Sequence, residues 1–153
     1  MKKILFILSA ALLALGMSMQ AQAQTLKWID ASTLNIIGQA EPTGKPYDRI
    51  NTQVHTMPEN TIAYCGFSTG LAVVFSTDSH VISARWTTSQ SMPGVNMSAI
   101  TQKGLDLYIM RDGEWIFAGV GSPKISGNRD THEGTIVTSM AEGEKLCLLY
   151  LPI

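Results

Sequence analysis

The sequence predicts an all-β fold, a jelly-roll-like antiparallel β-sandwich. Three observations carry that expectation. Apolar and polar residues alternate over short runs, turn residues separate those runs, and no stretch repeats apolar residues at the spacing of an amphipathic helix.

The elements follow in chain order. Lys2 and Lys3 precede the apolar run Ile4 to Leu15, and Ala21-Gln22-Ala23 supplies a small-x-small cleavage pattern. Residues 1–23 therefore read as a signal peptide, and the mature domain runs from Gln24 to Ile153. The apolar run is shorter than the roughly 20 residues a membrane-spanning helix needs. Leu34 to Ile37 is a weak first strand. Leu71 to Ser76 is apolar and β-branched. In Val81 to Thr87, Ile82, Ala84 and Trp86 form an apolar face opposite Val81, Ser83, Arg85 and Thr87. The turn cluster Thr77-Asp78-Ser79-His80 predicts that these two runs form a hairpin. Asp106 to Arg111 and Glu114 to Val120 flank Asp112-Gly113, the pair that a type I′ hairpin turn favours. Thr135 to Thr138 and Lys145 to Leu151 give two further strands, with Gly143 in the turn between them. Ser89 to Gly104 and Gly121 to Gly134 read as loops. Short strands at regular spacing point to a sandwich.

Composition excludes several function classes. The chain has 11 Lys+Arg against 12 Asp+Glu, a formal charge of −1, and loss of Lys2 and Lys3 takes it to −3. Basic residues do not cluster, so nothing points to nucleic acid. His55, His80 and His132 lack the short spacings that place metal ligands on one element, and read as surface histidines in polar loops. No cofactor motif is present. Cys65 and Cys147 could form one disulfide in an exported protein, or remain two buried thiols.

Gly66-Phe67-Ser68-Thr69-Gly70 matches G-x-S-x-G, the pattern of a serine-hydrolase nucleophile elbow. An elbow needs a strand before the serine and a helix after it. Here Leu-Ala-Val-Val-Phe follows Gly70, a run of strand formers, so the pattern reads as a turn leading into a core strand. Asp106 and Tyr108 share a strand face and read as a structural polar pair, the carboxylate accepting local hydrogen bonds. Trp28, Trp86 and Trp115 are the aromatic candidates for sugar stacking. Alternation buries Trp86, and Trp115, beside the hairpin turn, is the better candidate for carbohydrate contact.

Gly104-Leu105-Asp106-Leu107-Tyr108 resembles the G-x-D-L-Y motif of the N-terminal domain of bacterial SGNH-type, or GDSL-like, hydrolases. Further blocks resemble the same family in the same order. They are Lys27 to Ala31, Tyr47-Asp48-Arg49, Ser68-Thr69-Gly70, Ile82-Ser83-Ala84-Arg85-Trp86, Gly119-Val120-Gly121 and Leu149-Tyr150-Leu151-Pro152. One departure is Ile50-Asn51, where the family usually has Leu-Pro. The resemblance implies a β-sandwich that precedes a catalytic domain in exported esterases, many acting on acylated carbohydrate. It makes Ser68, Gly70, Arg85, Trp86, Gly104, Asp106, Leu107 and Tyr108 structural motif positions rather than catalytic ones. The family's nucleophile belongs to a Gly-Asp-Ser block, which this sequence lacks. The family also implies another strand beyond Leu-Pro, so a truncated reading frame is expected, with the hydrolase domain missing or encoded separately. The expected function is thus an exported, periplasmic or extracellular, non-catalytic module whose partner is an SGNH hydrolase domain. A free-standing carbohydrate-binding module is the alternative.

Overall fold

The structure is a computed structural model and describes residues 25–152 except 90 and 92. The expected signal peptide lies outside the described residues. Among the described residues seven strands form two antiparallel sheets. They are β1 (Asn35–Ile37), β2 (Ala72–Thr77), β3 (Ile82–Thr87), β4 (Leu105–Arg111), β5 (Glu114–Gly121), β6 (Thr131–Val137) and β7 (Lys145–Tyr150). The larger sheet has the order β1-β2-β7-β4-β5, and β3 pairs with β6 in the smaller one. The expected all-β sandwich is present, and its connections pass repeatedly from one sheet to the other.

The β4–β5 hairpin forms as its turn chemistry dictates. Asp112 and Gly113 sit at φ +52° and +86°, the two left-handed positions a type I′ turn requires. A bulge between Leu107 and Tyr108 shifts the register, so that Leu107 faces Gly119 and Tyr108 faces Phe117. The inner faces of the two sheets meet in one core. Leu105, Leu107, Ile136 and Cys147 are buried there, and Ile82, Ala84 and Trp86 of β3 pack on them, the three residues that alternation placed on the apolar face.

Several expectations are corrected. β2 and β3 do not form a hairpin. Both edges of β2 are taken, by β1 and by β7, so the chain crosses to the other sheet after Thr77. The β6–β7 connection makes the reverse crossing beside it, and the two are tied together. Met140 N–H donates to the His80 carbonyl at 3.0 Å, and His80 Nδ1 donates to the Met140 carbonyl at 2.8 Å. Strand β6 begins at Thr131, inside the segment read as a loop. Among the described residues two short α-helices also occur, α1 (Glu59–Cys65) and α2 (Ala99–Lys103). The second is capped by Ser98, whose hydroxyl accepts from Thr101 N–H.

Cys65 and Cys147 are free, and both are buried. Cys65 lies in α1, with its sulfur against Met57 and the Thr61 carbonyl. Cys147 lies in the middle of the larger sheet, opposite Phe75 and Ile109. Burial pushes its thiol pKa up and keeps it protonated. Thermal midpoints measured with and without a reductant are therefore expected to coincide. A bridge between these positions would instead contribute about 4 kcal/mol by closing a long loop.

Candidate functional site

The G-x-S-x-G segment has the reverse of an elbow's order, with helix α1 before Ser68 and strand β2 after Gly70. Leu71 N–H closes a turn onto the Ser68 carbonyl at 2.9 Å. The Ser68 hydroxyl donates to the Pro152 carbonyl at 2.5 Å. Among the described residues no histidine or carboxylate is bonded to it. Ser68 ties the end of β7 to the start of β2, alongside the bond from Leu151 N–H to the Leu71 carbonyl.

Most of the other motif blocks meet one another inside the fold. Arg85 projects from the outer face of the smaller sheet and forks onto Glu133 of β6 at 2.9 and 3.3 Å. The Trp28 ring lies against the Arg85 guanidinium, 3.9 Å from carbon to centroid. Ser83 and Thr135 share a hydroxyl hydrogen bond at 3.0 Å beside them. That face is polar and satisfies itself. On the inner face, Trp86 Nε1 donates to the Lys103 carbonyl at 2.7 Å, fixing the residue before the Gly104 motif to the smaller sheet. Arg49 donates to the Tyr64 carbonyl at 2.6 Å, which fastens its loop to α1.

Gly104 is where α2 hands over to β4. A Cβ there would stand 2.4 Å from the Ile100 carbonyl oxygen and 3.0 Å from Ile100 Cγ1. The first of these is backbone and cannot swing aside. Gly104→Ala is therefore expected to cost about 1–3 kcal/mol, the range for overpacking, read as a lowered denaturation midpoint.

His132 contradicts the expectation of a surface histidine. It is 0% exposed, on β6, with its ring 5.1 Å from the Trp86 ring. Nδ1 accepts from Lys124 N–H at 3.0 Å, so Nε2 carries the proton and donates to Thr88 Oγ1 at 2.9 Å. Burial is the main cause that lowers its pKa, and the Lys103 and Lys124 charges add to it. His55 and His80 do reach the surface and face Glu41 and Glu142. Among the described residues no three His, Cys, Asp or Glu side chains are grouped to hold a metal ion.

Asp106 and Tyr108 behave differently from the rest. Leu107 between them points into the core, and they point out of the larger sheet. Tyr108 stacks edge-on against Phe117, with centroids 5.7 Å apart. The half-buried Asp106 carboxylate has no hydrogen-bond or ion-pair partner among the described residues. The local acceptor role expected for it is absent. Trp115 lies on the same face, 39% exposed.

The family model described as GxDLY, N-terminus of Esterase_SGNH_hydro-type, matches residues 26–153. The chain belongs to this family. Among solved structures, a protein described as a GDSL-like lipase from Bacteroides ovatus ATCC 8483 matches with 42% identity and a TM-score of 0.73. The match covers 81% of this chain and 36% of that one, so the chain spans little more than a third of the lipase. No curated protein matches significantly. The GxDLY residues are thus Gly104, Asp106, Leu107 and Tyr108. The glycine makes a close approach, the leucine fills the core, and the aspartate and tyrosine face outward.

Proposed function

We propose that this chain is an exported, non-catalytic accessory module of an SGNH-type esterase, which packs against the hydrolase domain and helps shape its substrate cleft. The observation that carries this reading is the family match, in which residues 26–153 correspond to the N-terminus of SGNH-type esterases. Two features support the non-catalytic role. Ser68 is committed to a backbone carbonyl, and the sequence contains no Gly-Asp-Ser. Lys2, Lys3, the Ile4–Leu15 run and Ala21-Gln22-Ala23 support export to the periplasm or beyond. No helix among the described residues is long and apolar enough to cross a membrane. The substrate class of the whole enzyme is an ester, with acylated carbohydrate as the candidate.

The test is turnover of a simple acetyl ester by the purified chain. None is expected, and Ser68→Ala should leave the trace unchanged. Turnover abolished by Ser68→Ala would overturn the reading. A free-standing carbohydrate-binding module is favoured by one observation, the exposed ring of Trp115. Saturable quenching of tryptophan fluorescence by oligosaccharides, lost in Trp115→Ala, would establish it.

A further inference from the structure

The outward faces of β7, β4 and β5 are apolar where an exposed antiparallel sheet is usually polar. Leu146, Leu148 and Tyr150 of β7, Tyr108 of β4, and Phe117 and Trp115 of β5 share that face by register. Leu146, Tyr150 and Trp115 are each 39% exposed and Phe117 is 55% exposed. These strands are apolar on both sides, as strands are when both faces are covered. The outer face of the smaller sheet provides the contrast, since Ser83, Arg85, Glu133 and Thr135 pair with one another there. A contiguous exposed apolar patch of this kind marks an interface.

We propose that the outer face of the larger sheet is the surface on which the hydrolase domain docks, with the Asp106 carboxylate as its polar anchor. This inference rests on the accessory-module reading and specifies its interface. Three observations choose the occupant. First, most of the similar lipase lies outside the match, so a larger body accompanies this module in that protein. Second, β7 is the central strand of the sheet, and Ser68 and Leu71 hold its Leu151-Pro152 end beside the pair Asp106–Tyr150. Whatever follows Pro152 in such a module therefore leaves from the rim of this sheet. Third, Asp106 stands without a partner among the described residues, between Tyr150 and Val120. The register places no lysine or arginine on this face. A second copy docked through this same face would therefore bring no cation to the carboxylate. A hydrolase domain can bring an arginine, a lysine or backbone N–H groups, as a covered carboxylate requires.

The test uses a chimera in which this chain replaces the matched segment of the Bacteroides lipase. Phe117→Lys, Leu146→Lys and Asp106→Lys are made in it, with Thr131→Lys on the smaller sheet as control. Circular dichroism of the isolated chain checks that each variant folds. The unaltered chimera and the control are expected to melt in one coupled transition. The three outer-face variants are expected to split it into two. If the unaltered chimera already melts in two steps, the module reading falls and this proposal with it. If it melts in one step and the outer-face variants do too, the reading stands and the proposed face is wrong. Two further results would also overturn the proposal. One is a dimer of the isolated chain that Phe117→Lys disrupts while the chimera stays coupled, which gives the face to a second copy. The other is oligosaccharide binding lost in Trp115→Ala while the chimera stays coupled, which gives it to a sugar.

Discussion

Leu107→Ala is expected to destabilise the domain by about 2–5 kcal/mol, the range for truncating a fully buried leucine. The reason lies in its neighbours. Leu107 is 0% exposed and packs with Leu105, Ile136 and Cys147 at the centre of the core. Across the strand it faces Gly119, which has no side chain to move into a cavity. The β6 backbone cannot close in either. The Ile136 carbonyl already lies so close that a Cβ on Gly119 would meet it at 2.3 Å. A site that cannot collapse retains its void, and the penalty rises with the void left behind. The loss is a large part of the roughly 5–15 kcal/mol that holds an ordinary domain together. Chemical denaturation followed by tryptophan fluorescence measures it, because the Trp86 ring packs on the same core. Phe117→Ala is the internal comparison. Its ring is larger but 55% exposed on the uncovered face, so in the isolated chain it should cost less than Leu107→Ala. Equal losses would mean that the outer face is not the solvent face of this module.

What the sequence encodes locally, the structure repeats. The alternation in Val81 to Thr87 assigned Ile82, Ala84 and Trp86 to the core, because the period of a strand is fixed by its geometry. Asp112-Gly113 specified its hairpin because few other dipeptides accept two left-handed residues in succession. The choice of partner strand is not local. Thr77-Asp78-Ser79-His80 is competent to turn back along β2, and it crosses between sheets because β1 and β7 occupy both of its edges. That occupancy depends on residues about 70 positions later, which no short window contains. The helices escaped for another reason. Each has at most seven residues, too few to display a helical period. Ser98 ahead of Ala99 was the available cue for α2, through its capping hydroxyl. Among the site residues, the alternation Leu105-Asp106-Leu107-Tyr108 already put the aspartate and tyrosine on one face. Their lack of a local partner becomes visible only when β7 and β5 are placed beside them.

His132 carries the second large effect, and its sign with pH follows from which nitrogen accepts. His132→Ala is expected to cost about 3–5 kcal/mol. It leaves a cavity against Trp86 comparable to that of an aromatic truncation and deprives the Lys124 N–H of its acceptor. His132→Phe should recover the packing share and leave the hydrogen-bond share lost. The pH profile separates the two further. In the folded chain Nδ1 must stay unprotonated to accept from Lys124 N–H, and burial together with Lys103 and Lys124 lowers the pKa. In the unfolded chain the imidazole titrates near its ordinary value of about 6.5. Between the lowered folded value and about 6.5 the unfolded state binds more protons, so stability rises with pH across that window. The contribution is complete above about 6.5 and is lost as the pH falls toward the folded value. Denaturation midpoints of the wild type should therefore drop on acidification from about pH 7.5 to about pH 5.5 more steeply than those of His132→Phe. The comparison with His132→Phe isolates this one ring, since every other ionisable group is common to both proteins. Parallel profiles would mean that His132 accepts a proton in the folded state as readily as in the unfolded one. That result would contradict a ring held neutral between two lysines by the Lys124 amide.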